Sequence, residues 1–274
     1  MSKCKICGAE SNDGLLDVSG VHDDYAQLIN LDQSDGFKGY LSCHNCEVAF
    51  RDSYLSENAK EELYSHFRDE AFRNESLSEY FERITSLPDE KSENHEKIKW
   101  LSTFLNSRGN HVDIGGGVGV FSYAFKSYFD GWASVVIEPT PGIKDIASGY
   151  GVDVYCGYLN DQIAMTEKFH KKIDLITMNH VLEHIDNPIE ILSLCKELLV
   201  ENGMIYVETP SIKDIGFLPK THDRFMSQHE VIFSQNALAS LLQKLVSILS
   251  NLRPIYRPEK DGTKESWLRF KKLG

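Results

Sequence analysis

The chain is expected to fold as a doubly wound α/β protein, with a mostly parallel seven-stranded sheet and a small N-terminal module. Three observations carry this expectation. Short apolar runs alternate with amphipathic segments from His111 onward, a glycine-rich turn joins the first run to the next helix, and two Cys-x2-Cys pairs fall within the first 52 residues. Strand–helix alternation means a parallel sheet, because parallel neighbours need a crossover, and right-handed crossovers place helices on both faces.

At 274 residues the chain has room for one α/β domain and a small module. Its 41% hydrophobic and 26% charged residues are ordinary for a soluble globular protein. Residues 1–52 carry the cysteine pairs and turn residues with little helical periodicity. Residues 53–107 read as a helical segment: Ser56-Glu57-Asn58 starts a helix, and Leu63, Phe67, Ala71 and Phe72 recur at helical spacing. After the charged break Pro88–Asn94, Ile98, Leu101, Phe104 and Leu105 share one helix face. Residues 108–274 form the α/β domain. Its strands are expected near Val112–Ile114, Ser134–Ile137, Val152–Tyr155, Ile173–Met178, Gly203–Thr209, Ile255 and Trp267–Phe270. Its helices are expected at Val120–Phe129, Ile143–Tyr150, Ile189–Leu199 and Gln235–Leu249.

The first strand ends in Asp113-Ile-Gly115-Gly-Gly117-Val-Gly119. Glycines there allow a sharp turn and close approach of a ligand, and the following helix start presents free N–H groups to anionic groups. A dinucleotide fingerprint needs Gly or Ala where Val120 stands, so that reading fails. Glu138 closes the second strand, 19 residues after Gly119, where a carboxylate can accept from both hydroxyls of a ribose. The alternative is a tight strand–helix packing turn without a ligand.

The pattern D-x-G-x-G-x-G resembles the first motif of class I S-adenosylmethionine-dependent methyltransferases. The stretch Asp174-Leu-Ile-Thr-Met-Asn-His-Val-Leu-Glu-His-Ile-Asp-Asn-Pro188 resembles the "VLEH" motif of small-molecule members, and Gly203–Pro210 their fifth strand. The resemblance covers about 111–245. It implies a Rossmann-like fold and a donor site at Asp113, Gly115, Gly117, Gly119 and Glu138, with Pro139 near the adenine. It also implies that Asn179 and His180 stand beside the sulfonium. In related quinone O-methyltransferases an acid precedes the "VLEH" run and helps bind magnesium. Here His180 holds that position, which argues against a magnesium role for Glu183 and His184. For His184, a helix-start residue that packs locally is favoured over direct catalysis.

Cys4-Lys-Ile-Cys7 and Cys43-His-Asn-Cys46 are separated by 35 residues, longer than the usual gap of about 15–20, yet two such knuckles favour a tetrahedral zinc-ribbon-like site. A redox pair or coincidence is the other reading. Four thiolates leave no open position, so such a zinc ion is structural. Cys156 and Cys195 fall in apolar segments and are read as core, and His44 as a loop residue.

An N-terminal zinc segment before a class I core looks like the methyltransferases of nucleotide-linked deoxysugars. Their Y-x-H-E-H-x-x-Y-F-S stretch survives here only as His229 and Phe233-Ser234 within Met226–Ser234. Losing the Tyr and the first His argues against C-methylation and leaves O-methylation of a saccharide or sugar-nucleotide. A histidine has the right unperturbed pKa to take a hydroxyl proton. His229, His222 and His180 are the candidates, and His229 is preferred because it precedes the helix after strand five.

Two other readings stand beside this one: an RNA methyltransferase gripping its substrate through the zinc ribbon, and a non-catalytic cofactor- or partner-binding module. The net charge of -12 argues against nucleic acid, as do Asp13, Asp17, Asp23, Asp24, Asp32, Asp35 and Glu47 in the cysteine segment. The basic residues Arg253, Arg257, Lys260, Lys264, Arg269, Lys271 and Lys272 read as a solvated face. With no signal-like apolar run at the start and no stretch of about 18 apolar residues, a cytoplasmic location off the membrane is the default. Oligomeric state has no signature here.

Overall fold

The computed structural model describes residues 3–10, 12–29, 39–53, 55–65, 70–140, 142–159, 171–216, 218–222, 225–234, 236–238, 240–241, 252–256 and 265–272. The strands in chain order are β1 (Asn12–Asp17), β2 (Gly39–Cys43), β3 (Ala49–Arg51), β4 (Gly109–Ile114), β5 (Trp132–Glu138) and β6 (Asp153–Cys156). They continue with β7 (Ile173–Asn179), β8 (Leu199–Pro210), β9 (Val231–Ile232), β10 (Leu252–Tyr256) and β11 (Glu265–Lys272). The helices are α1 (Asp24–Leu28), α2 (Glu57–Ser65), α3 (Glu70–Arg73), α4 (Leu77–Thr85), α5 (Glu93–Ser102), α6 (Val120–Tyr128), α7 (Ile143–Gly149) and α8 (Pro188–Leu198). The larger sheet has the order β10-β11-β8-β7-β4-β5-β6. Its pairs β4–β5, β4–β7 and β5–β6 are parallel, and β10–β11 is antiparallel. This is the doubly wound architecture expected from the alternation.

The chain divides into two units. One comprises Ser65–Met178 and Leu194–Ile205. Helices cover both faces of its central strands, so Val112, Val136, Leu175 and Ile176 are all fully buried. Beneath β5 and β6, Phe81 of α4 joins Val118, Val136, Ile143, Ala147, Val152 and Val154 in one cluster. Phe81 stacks on Tyr150 with ring centroids 4.0 Å apart. Helix α4 starts with a capping box: Ser76 Oγ accepts from the Glu79 N–H, and Glu79 reaches back to the Ser76 N–H.

The other unit comprises Met1–Tyr64, Asn179–Ser193 and Tyr206–Gly274. Its core is a second, antiparallel sheet of order β1-β2-β3-β9. Val18, Tyr40, Ala49, Phe225 and Ile232 pack together on it. Periodicity gave no hint of this sheet, and its fourth strand comes from the far end of the chain.

One core assignment needs correction. Cys195 is buried, but Cys156 is exposed. It ends β6, the last strand on that side of the larger sheet among the described residues. Of the helix expected at Gln235–Leu249, residues 236–238 and 240–241 are helical. Residues 242–249 lie outside the described residues, as do the side chains of the basic residues from Arg253 onward.

Candidate active site and metal centre

After Ile114 the chain turns through the glycines into α6. Gly115, Gly117 and Gly119 have φ of 65°, 55° and 84°, a region other L-residues enter only at a cost. Two backbone bonds hold the loop, Gly115 N–H to Ile137 O at 2.8 Å and Gly119 N–H to Gly116 O at 3.0 Å. The glycines do different work. A Cβ at Gly116 would stand 2.6 Å from Asp113 Oδ2, and one at Gly119 would stand 2.6 Å from Val152 Cγ1. A Cβ at Gly117 would meet nothing within 4 Å. Gly116 and Gly119 are therefore required by packing, whereas Gly117 faces open space that a ligand can fill.

These surroundings separate two substitutions. Gly117→Ala is expected to cost about 1–2 kcal/mol of stability through its left-handed φ and to weaken S-adenosylmethionine binding. Gly119→Ala adds the clash with Val152 and is expected to cost more stability still. Urea unfolding and calorimetric titration of the two variants check the contrast. Equal stability losses would show that Gly117 has no special place.

Asp113 supports the loop from beneath. It is buried, accepting from Thr177 Oγ1 at 2.5 Å and from Ser122 Oγ at 3.3 Å. Because Thr177 gives its proton to Asp113, it accepts from His111 Nε2–H at 2.8 Å, leaving His111 Nδ1 to accept from Ser134 Oγ, also at 2.8 Å. Burial pushes His111 down to about 3, so the ring is neutral and this tautomer holds. No motif singled out the relay.

Glu138 is buried where the ribose carboxylate was expected. Its Oε2 accepts from the Gly117 N–H at 3.0 Å. Its Oε1 accepts from Thr140 N–H at 3.0 Å and Oγ1 at 2.6 Å. The carboxylate is thus oriented before any ligand arrives. Pro139 follows it, half-buried.

A second cluster lies in the other unit. Asn179 closes β7, and both polar atoms of its amide are buried without a hydrogen-bond partner among the described residues. A buried amide in that state fits a ligand that supplies its partners. His180 has a φ of 55°, uncommon outside glycine, and its N–H donates to Glu208 O at 2.9 Å. Its ring stands between two fully buried carboxylates, Nδ1 3.3 Å from Glu183 Oε1 and Nε2 3.4 Å from Glu208 Oε1. Tyr206 Oη donates to Glu208 Oε2 at 2.8 Å. Burial acts to raise the Glu183 carboxyl, but the His180 contact and the nearby His184 and His229 outweigh it and hold the group below the usual carboxylate range.

His184 ends the 3-10 turn Leu182–His184. Its Nδ1 lies 2.7 Å from Gln228 O, and a carbonyl only accepts, so Nδ1 carries a proton. The ring packs edge-on against Tyr64 and stands 4.8 Å from the His229 ring. His229 is 6% exposed. Ligand-type atoms of Glu183, His184 and His229 all lie within 4.8 Å of one another, a set able to pass a proton or hold a cation. Of the three histidines read as candidate bases, His180 and His229 therefore meet around Glu183. His222 is half-buried beside Phe225, its ring 6.4 Å away.

The four-cysteine expectation meets a matching geometry. Sγ atoms of Cys4, Cys7, Cys43 and Cys46 lie within 4.8 Å of one another, with Cys4–Cys46 at 3.6 Å and Cys7–Cys43 at 3.4 Å. A tetrahedral ion with bonds of about 2.3 Å holds its sulfurs roughly 3.8 Å apart, so the donor set fits zinc. Both knuckles share one backbone pattern. Gly8 N–H donates to Cys4 O and Glu47 N–H to Cys43 O, with φ of 76° at Gly8 and 60° at Glu47. Cys4 N–H reaches Ala9 O as Cys43 N–H reaches Val48 O. His44 pairs at the surface with Asp13.

Residues 87–245, more than half of the chain, match the family described as methyltransferase domain. The chain belongs to that family. A 119-residue stretch is 24% identical to a ubiquinone biosynthesis O-methyltransferase of Coxiella burnetii (strain Dugway 5J108-111), covering 42% of this chain and 50% of that protein. A 47-residue stretch is 47% identical to the protein of the same name from Glaesserella parasuis serovar 5 (strain SH0165), covering 17% of this chain and 18% of that one. The chain thus matches half or less of the length of these curated relatives. Among solved structures, the plantazolicin methyltransferase in complex with SAH superposes with a TM-score of 0.57 at 16% identity, over 77% of this chain and 93% of that one. A methyltransferase from Thermotoga maritima, described as a possible histamine N-methyltransferase, gives 0.52 at 16%, over 74% and 97%. At such identities these structures speak to the fold, which is that of S-adenosylmethionine-dependent methyltransferases. No helix among the described residues is long and apolar enough to cross a membrane.

Proposed function

We propose that the protein transfers a methyl group from S-adenosylmethionine to a hydroxyl oxygen of a small molecule, a saccharide or sugar-nucleotide. The observation that carries the donor assignment is the open space over Gly117 beside the pre-oriented Glu138, in a chain of the methyltransferase domain family. When bound, the donor supplies an activated methyl on sulfur. Glu138 accepts from the ribose hydroxyls, and Gly115–Gly119 leave room for the methionine and ribose. His229 takes the proton from the acceptor hydroxyl as the new C–O bond forms and the C–S bond breaks, so neutral S-adenosylhomocysteine leaves and the proton stays on the imidazole. His180, between Glu183 and Glu208, shapes the local charge. The Cys4, Cys7, Cys43 and Cys46 thiolates hold a structural zinc ion, consistent with reduced cysteines in a cytoplasmic protein.

A phenolic acceptor is the second reading, favoured by the name of the curated relatives. Nucleic acid is disfavoured by the net charge of -12. Radiolabelled S-adenosylmethionine offered with sugar-nucleotides, free glycans, catechols and total RNA tests all of these. Label on a sugar hydroxyl is expected. Label only on catechols moves the acceptor to the phenolic class, and label only on RNA sinks the small-molecule reading. No label on any class, together with no thermal shift from S-adenosylmethionine or its demethylated product, sinks the enzyme reading.

A further inference from the structure

The loop that carries His229 is held largely by side chains of the N-terminal cysteine segment. Tyr40 Oη donates to His229 O at 3.0 Å. Arg51, fully buried, donates its backbone N–H to Glu230 O at 3.1 Å and its Nη1–H to Ser227 O at 2.6 Å, with Glu230 Oε1 3.4 Å away. Asp23 Oδ2 accepts from the Ser227 N–H at 2.7 Å. Lys5 differs from these because it reaches both histidine-bearing segments. Its Nζ stands 3.0 Å from Glu230 Oε2, one residue past His229, and 2.5 Å from Asp186 Oδ1, two residues past His184. Lys60 Nζ pairs with the other oxygen of Asp186. The two segments also meet directly, Glu230 N–H donating to Glu183 O at 2.8 Å.

Lys5 lies inside the first knuckle, between Cys4 and Cys7, so its backbone path is the knuckle's own. The side chains of Lys5 and Glu230 are only 10% and 2% exposed. Charges at that depth persist only when paired. If the knuckle shifts, the Glu230 carboxylate loses its lysine, keeping only Arg51, and the tie between its segment and the knuckle is cut.

We propose that Lys5 is a positioning residue that couples the four-cysteine knuckle to the His184–His229 pair, so that the state of the knuckle sets where the His229 ring stands. Its catalytic meaning rests on the base assignment above, but the coupling is a statement of geometry and can be read without turnover.

The test uses the full chain with its metal content measured. It reads hydrogen exchange of the amides at 228–232 and the rate at which diethyl pyrocarbonate modifies His184 and His229. Lys5→Gln is expected to speed both about tenfold. Lys5→Arg is expected to restore the wild-type rates. Lys3→Gln, which removes an exposed pair with Glu10, is expected to change neither. Stripping the wild-type protein with a chelator is expected to reproduce the Lys5→Gln behaviour. Wild-type rates in a fully metallated Lys5→Gln protein would overturn the proposal, and so would a stripped protein whose exchange at 228–232 does not change. Should Lys5→Gln lose its metal or fail to fold, Asp186→Asn cuts the same bridge from the far side, and unchanged rates in that variant also overturn it. Coupling observed together with full turnover of a His229→Ala variant would refute the base assignment and leave the coupling standing.

Discussion

Removing the cation from the four-cysteine site, or replacing Cys43 by Ser, is expected to unfold the N-terminal sheet and release the His229 loop with it. The physical reason is the small size of that sheet. Its strands run to six, five, three and two residues, and its core cluster is five buried side chains with a few partly buried neighbours. Such a module has little apolar area to offset its own ordering entropy, and a zinc ion on the four thiolates would supply the difference. Because β9 pairs with β3, through Ala49 with Ile232 and Phe50 with Val231, the damage cannot stay within the first 52 residues. A loss of about 3–5 kcal/mol is expected, lowering the melting temperature by roughly 10 °C in a chain of this size. Thermal unfolding before and after chelation, with bound metal measured by mass spectrometry, checks it. An unchanged melting temperature after complete removal would show that the thiols do not form a structural cation site.

The two sheets were unequally legible in the sequence. The strands from β4 to β8 alternate with amphipathic helices and are marked by apolar residues such as Val112, Val136, Leu175 and Ile176, although buried His111, Asp113, Ser134 and Thr177 lie among them. The N-terminal strands carry no such mark. Asn12–Asp17 reads as a turn-rich polar stretch, Ala49–Arg51 is three residues long, and its partner Val231–Ile232 is two. A ladder between segments so far apart is set by tertiary contacts, which local periodicity does not encode. Cys156 went astray for a related reason. An apolar run shows that a strand exists but not that it lies at the edge of its sheet.

The site was legible where covalent geometry or metal chemistry dictates residue type. Glycines at positive φ, a carboxylate at a strand end and paired cysteines all announce themselves. Residues that act through other residues do not. Nothing adjacent to His111, Ser134 and Thr177 marks them as the relay that orients Asp113, and Lys5, Arg51 and Glu230 look like ordinary surface charges until the fold buries them. The three candidate histidines were alike in the sequence. They separate only when His180 and His229 are seen against buried Glu183 while His222 packs beside Phe225.

That separation makes the second large prediction specific. His229→Ala is expected to lower the rate of methyl transfer about 10²–10⁴-fold, the usual range for loss of a positioned general base. Affinity for S-adenosylmethionine should stay within about twofold, because no part of the glycine loop or Glu138 is altered; a variant that lost rate and donor affinity together would point to a collapsed fold instead. Removing the ring also leaves a cavity beside His184, so a modest loss of stability is expected alongside the loss of rate. His222→Ala, outside the cluster, should retain turnover within about threefold. Glu183→Gln tests how the base is held. It keeps the shape of the side chain but removes the charge facing His180, His184 and His229, and is expected to lower the rate without abolishing it. Single-turnover rates and donor titrations on the three variants, measured once an acceptor is in hand, decide among them. Near wild-type chemistry in His229→Ala with a large loss in His222→Ala would move the base to His222 and leave the buried cluster a purely structural one.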